Sequence, residues 1–171
     1  MNSTFQDLKQ LKNKFISWAN SQDDIRIAVV VGSRARTDHP ADKWGDLDLM
    51  IYANNIGQYF GNKDWLKKIG NVLISFIHQT IAGQPEFLAL FEGGCNVDFV
   101  FQLLNSFEKL LKLEELPDIF KRGYKIILDK EGIGVHLKSV QFSPIKVQPP
   151  TEEIFLQVVN SFWYASLYIA K

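Results

Sequence analysis

The run Ile25–Val31, IRIAVVV, is rich in valine and isoleucine and ends abruptly at Gly32-Ser33. A β-branched apolar run of this kind reads as a buried strand, which needs other layers to cover it. Before it, residues 3–22 carry Phe5, Leu8, Leu11, Phe15, Trp18 and Ala19 at helical spacing, with lysines on the other face. Ser3 and Gln6 offer that helix a capping box. After the strand, residues 34–45 are polar and irregular, with His39-Pro40 as a breaker. Residues 46–52, DLDLMIY, read as a second strand. A short amphipathic helix is expected over 63–69, and 72–79 is open between helix and strand. Residues 87–91 and 97–103 read as two strands joined through the Gly-rich hairpin loop Glu92-Gly93-Gly94-Cys95-Asn96. Residues 106–121 read as one helix striped by Leu110, Leu113, Leu116 and Phe120, with Pro117 in its C-terminal part; 124–128 read as a short strand. Pro144, Pro149 and Pro150 mark 139–150 as a linker. Residues 151–171 open a new helix whose face carries Phe155, Phe162, Trp163, Tyr164 and Tyr168. So apolar a helix needs a partner, so the expectation is one domain over 1–138 followed by the first helix of a second, mostly absent helical domain.

The charge balance narrows the function classes. Lysine plus arginine equals aspartate plus glutamate at 19 each. A protein that grips a nucleic-acid backbone carries a basic excess, so nucleic acid is disfavoured as the main substrate. The start MNSTFQDLKQ has no basic segment followed by an apolar run, and no apolar stretch reaches the ~20 residues of a membrane span. The single cysteine, Cys95, cannot form an intrachain disulfide. A cytoplasmic location without membrane association is expected. The 13 Phe and 4 Trp suggest aromatic surface covered by another domain or chain, and the 155–168 face is the expected place for self-association.

Three pieces carry chemistry together. Gly32, lacking a Cβ, lets an anion approach the backbone after the strand, where N–H groups and the Ser33 hydroxyl can hold phosphate oxygens. Arg34 and Arg36 follow closely with positive charge. Asp46 and Asp48 stand at i and i+2, so on a strand their carboxylates project to one side while Leu47, Leu49 and Ile51 face the core. Two such carboxylates repel unless a cation lies between them, and hard oxygen ligands suit Mg²⁺. Asp98, inside Asn96-Val97-Asp98-Phe99-Val100-Phe101, is costly to bury unpaired and would complete a three-carboxylate site from a neighbouring strand. His39, His78 and His136 have no zinc-type partners and read as structural or exposed; Ser33 lacks a neighbouring base. Cys95 reads as incidental. Lys125 and Lys130 could reach a triphosphate, but read first as surface lysines.

Gly32-Ser33-Arg34-Ala35-Arg36 and Asp46-Leu47-Asp48-Leu49 resemble the signature of the DNA polymerase β-like nucleotidyltransferase superfamily. The chain is most similar to its aminoglycoside 6-adenylyltransferase (streptomycin adenylyltransferase) family, through Lys63-Asp64-Trp65-Leu66, Leu128-Asp129-Lys130-Glu131-Gly132 and Asn160-Ser161-Phe162-Trp163-Tyr164. The resemblance implies an α/β (α+β) fold, a mixed sheet flanked by helices, followed by a helical C-terminal domain. It implies Mg²⁺ held by Asp46, Asp48 and Asp98, and ATP phosphates held at Gly32, Ser33 and Arg34. It implies AMP transfer from ATP to a hydroxyl of an aminoglycoside such as streptomycin, an antibiotic-resistance activity. Where the family carries acidic residues in the last helix, this chain has Leu156, Gln157, Val158, Val159 and Ser161. Two other readings therefore stand beside the first. One is an idle nucleotide-binding or interaction domain. The other is a nucleotidyltransferase acting on a protein or RNA hydroxyl.

Overall fold

A computed structural model describes residues 3–36, 41–80, 83–139 and 149–169. Its centre is a six-stranded mixed sheet in the order β3-β4-β5-β2-β1-β6. The strands are β1 (Ile25–Val31), β2 (Leu47–Ala53), β3 (Val72–Gln79), β4 (Pro85–Phe91), β5 (Cys95–Leu103) and β6 (Lys125–Asp129). The β2–β5 pair is parallel and the other pairings are antiparallel. The mixed sheet flanked by helices is therefore as expected. Residues 72–79, open in the sequence, form the edge strand β3. Its Leu73, Ile74, Phe76 and Ile77 are exposed.

Each face of the sheet has its own core. On one face lie α1 (Ser3–Asn20), α2 (Gly57–Gly61) and α3 (Leu66–Ile69), which enclose Phe15, Trp65, Phe87, Phe91, Phe99 and Phe101. On the other lie α4 (Leu104–Lys112) and α5 (Asp118–Lys121), whose Phe107, Leu110 and Phe120 cover Ile27, Val29, Val31 and Tyr52. From Ile27 to Val31, after a bulge between Ile25 and Ile27, β1 alternates between the two cores, which is why nearly every one of its residues is apolar. Lys130 ties the far end of β6 to the end of α1, donating to the carbonyl oxygens of Ala19, Asn20 and Gln22 at 3.1, 2.9 and 2.7 Å. Carbonyls at and just past a helix end need such donors, and a lysine there also complements the helix dipole.

Three sequence expectations need correction. The helix expected over 106–121 is two helices. Leu113 already has extended backbone, and the residue before a proline is pushed away from helical geometry, so Pro117 starts α5 afresh. Leu110, Leu116 and Phe120 are buried, but Leu113, expected in the same stripe, is 42% exposed at the break between the two helices. The helix expected over 63–69 contracts to the single turn Leu66–Ile69, and α2, absent from the expectation, precedes it. Cys95 is not in a loop: it opens β5 opposite Phe91 and is buried. The Ser3 and Gln6 side chains, His39-Pro40 and positions 140–148 of the linker lie outside the described residues.

The helix expected from residue 151 is present as α6 (Glu152–Ile169). Its apolar face is bare: Phe155, Phe162, Trp163 and Tyr164 are between 56% and 73% exposed. No helix among the described residues is long and apolar enough to cross a membrane.

Trp65 is the keystone of the larger core. It stacks on Trp18 with ring centroids 5.1 Å apart, meets Phe99 edge-on at 5.0 Å, and donates its indole N–H to the Tyr59 carbonyl at 3.1 Å. Trp65→Ala is expected to cost about 3–5 kcal/mol, the range for emptying a large aromatic site, measured as a lowered urea midpoint.

Candidate active site

The sheet register brings the carboxylates together. Val31, Asp48, Asp98 and Leu88 lie side by side across β1, β2, β5 and β4. Paired residues share a face, so Asp48 and Asp98 point the same way while Leu47 and Leu49 turn into the α1-side core. Asp46 lies one residue before β2, yet its carboxylate joins the others: one oxygen from each of Asp46, Asp48 and Asp98 falls within 4.8 Å of the other two. All three expected acidic residues meet.

Burial and mutual repulsion oppose their ionisation. Partial burial first, then Asp46 and Glu86, lifts Asp48 to about 6, against a lowering by Arg36. Burial first, then Asp48, Asp46 and Glu86, pushes Asp98 up to about 7. Glu86 is the residue sequence reasoning missed. It sits two positions before Leu88, on the same face of β4, with its side chain 16% exposed. The strand was expected to start at Phe87, which left Glu86 in a loop; extending the alternation Glu86, Leu88, Leu90 backwards would have placed it. His78 on β3 pairs with Glu86 in register, its Nδ1 3.4 Å from Glu86 Oε1. His136 is exposed in a 3₁₀ turn.

The turn after β1 abuts this cluster. Gly32 has φ +66°, and a Cβ there would stand 2.0 Å from Asp48 Oδ2. The carboxylate occupies the space a side chain would need. Ser33 Oγ is buried and has no hydrogen-bond partner among the described residues, a costly state for a hydroxyl unless something accepts or donates to it. Arg34 turns back on the loop: its Nε donates to the carbonyls of Gly45 at 3.0 Å and Asp46 at 2.8 Å, and Nη2 also reaches Gly45 O. The guanidinium thereby clamps the segment that delivers Asp46. Lys125 Nζ donates to Arg34 O at 2.9 Å, and Lys130 is spent on the end of α1.

Three half-buried carboxylates, two of them (Asp48 and Asp98) with raised affinities for protons, suit a hard divalent cation, which would relieve their repulsion with oxygen ligands. A glycine-serine turn beside them suits phosphate. The sequence model of the streptomycin adenylyltransferase family matches residues 5–171, nearly the full chain. The chain belongs to that family. Similar proteins include the aminoglycoside 6-adenylyltransferases of Staphylococcus aureus, 25% identical over 95% of this chain and 58% of that protein, and of Campylobacter jejuni, 26% identical over 95% and 56%. The chain thus spans just over half the length of these curated relatives. A crystal structure of an aminoglycoside 6-adenyltransferase from Bacillus subtilis has the same fold, with TM-score 0.50 and 16% identity over 93% of this chain and 54% of that one. The chain, a member of a nucleotidyltransferase family, presents an acidic cluster fit for a metal.

Proposed function

We propose that this chain supplies the catalytic half of an adenylyltransferase that moves AMP from ATP to a hydroxyl of an aminoglycoside. The observation that carries the reading is the convergence of Asp46, Asp48 and Asp98 beside Gly32, in a chain of the streptomycin adenylyltransferase family. These three carboxylates would hold Mg²⁺, which when bound neutralises charge on the triphosphate and on the departing oxygen.

Gly32 leaves room for phosphate oxygens at the end of β1, and Ser33 offers them its hydroxyl. Arg34 belongs to the nucleotide side through its clamp on Gly45 and Asp46, which holds the turn and the first carboxylate together. The acceptor hydroxyl oxygen bonds to the α-phosphorus, the bond from that phosphorus to the bridging oxygen breaks, and pyrophosphate leaves. The hydroxyl proton passes to the Asp98 carboxylate, which as a member of the acidic cluster is well placed to take it. Residues 1–138 form the nucleotidyltransferase domain on this reading. The helix that follows belongs to a separate helical unit, with its bare aromatic face as the contact surface.

The test is pyrophosphate release from ATP and Mg²⁺ across a panel of aminoglycosides, with Asp48→Asn as control. The expected result is release that depends on one class of acceptor and on Asp48. Equal signals from wild type and variant reject the assignment. The exposed face of α6 favours a second reading, an idle domain that binds nucleotide or a partner chain through that face. ATP binding by calorimetry, with no turnover on any acceptor, would select it.

A further inference from the structure

A second charged feature lies behind the catalytic turn. A cleft of about 420 Å³ opens between the N-terminal half of α1, the turn after β1 and β6. Lys9, Lys12, Arg34, Arg36 and Lys125 line it, and no acidic residue is among the described residues that do. In a chain whose charges balance, this is a local concentration of one sign. Lys9 and Lys12 stand at i and i+3 on α1, so they share a helix face and repel each other at a cost. Arg36 has a buried Nε without a hydrogen-bond partner among the described residues.

The cleft is not the carboxylate site. Its floor is Val30 and Leu47, which belong to the core on the α1 side. Asp48, the next residue on β2, points to the other face of the sheet. One short segment, Gly32 to Arg36, therefore separates an acidic pocket from a basic one.

We propose that this basic cleft is a second binding site, for a compact chain of phosphates. The Lys9 and Lys12 ammonium groups would bind phosphate as point charges and the Arg36 guanidinium would contribute directed N–H donors, while Arg34, turned on the loop carbonyls, and Lys125, bonded to the Arg34 carbonyl, add positive charge. The volume is at the small end of ordinary ligand pockets, which suits a di- or triphosphate better than a whole nucleotide. The phosphates come either free or as the tail of a nucleotide whose base stays outside. The site goes beyond the proposed AMP transfer and does not need it to be correct.

Calorimetry on the full chain in EDTA at low salt tests this, because without divalent cation the carboxylate cluster repels anions. Inorganic tripolyphosphate is the probe, with ATP and adenosine as further arms. Tripolyphosphate is expected to bind, and a Lys9→Gln/Lys12→Gln variant to bind it at least about tenfold more weakly, with Lys125→Gln weakened in the same direction. Affinity should fall as salt rises. Equal affinity for ATP and tripolyphosphate, with none for adenosine, identifies the phosphate chain as the recognised part. Glutamine keeps helix propensity, and matched thermal melts confirm that α1 is intact. Tripolyphosphate that does not bind, or binds the double variant as tightly as wild type, overturns the proposal. So does binding that Asp48→Asn changes as much as the lysine substitutions do, since the anion would then lie on the carboxylate face.

Discussion

Asp48→Asn is expected to melt above the wild-type chain in EDTA at pH 8, and to lose at least about 10³-fold in AMP transfer with Mg²⁺. The two effects share one cause. Asp48 and Asp98 take up protons at about 6 and about 7 in the folded chain, both above the 3.8 of a free aspartate. Groups raised in this way contribute stability that is complete below about pH 4 and lost as pH rises through 6 to 7. At pH 8 without metal both are charged, and burial and repulsion act in full. Asparagine removes one of the charges. A full pKa unit is worth about 1.4 kcal/mol, and solvent access to the cluster discounts the sum, so the gain is about 1–2 kcal/mol. The same balance predicts that Mg²⁺ raises the wild-type melting temperature strongly at pH 8 and much less at pH 5, where protons already neutralise Asp48 and Asp98. The variant should respond weakly at both. Thermal melts from pH 5 to 8, with and without Mg²⁺, read all of this. A wild-type chain indifferent to Mg²⁺ at pH 8 would mean that the three carboxylates do not form a cation site.

Much of the site was legible in the sequence because it depends on short-range rules. The two-residue period of a strand puts Asp48 opposite the core-facing Leu47 and Leu49. A strand ending in glycine and serine leaves a turn where a backbone can meet an anion. What carried Asp98 to the others was pairing between β2 and β5, a parallel contact across some fifty residues of chain. The strand character of 97–103 was readable, but its neighbour was an expectation until the register was seen. Glu86 escaped for the same reason at shorter range: it lies at the start of β4, where strand boundaries blur. Pro117 shows the converse. The apolar stripe through Leu110, Leu116 and Phe120 is a true record of burial, but it is compatible with one helix or two, and the backbone had already turned extended at Leu113, ahead of the restart at Pro117. Arg34 carries the subtlest lesson. Its charge beside the Gly-Ser turn suggested a phosphate ligand, whereas its donors are directed at carbonyls of the loop before β2. A sequence shows that a guanidinium is near a site; only the fold shows which acceptors have claimed it.

Gly32→Ala is the substitution in which fold and site should fail together. The added Cβ would come within 2.0 Å of Asp48 Oδ2 and 2.7 Å of its Cγ, so the carboxylate must move. Asp48 is a short side chain on a central strand, held between Val31 and Asp98 in register, and it has little freedom to yield. The backbone adds its own cost, because φ is +66° and an L side chain disfavours that region. The expected loss is about 2–4 kcal/mol of stability, together with the Mg²⁺-dependent rise in melting temperature and at least about 10²-fold of AMP transfer. Gly94→Ala and Gly132→Ala separate the causes. Both glycines have positive φ, at 75° and 66°, yet a Cβ at either meets nothing within 4 Å. Each should cost only about 1 kcal/mol and leave the response to Mg²⁺ intact. The contrast isolates the contact between the turn and the carboxylate from the price of the backbone alone. If Gly32→Ala behaves like the other two, the turn does not shape the acidic cluster, and Gly32 is only a bend in the chain.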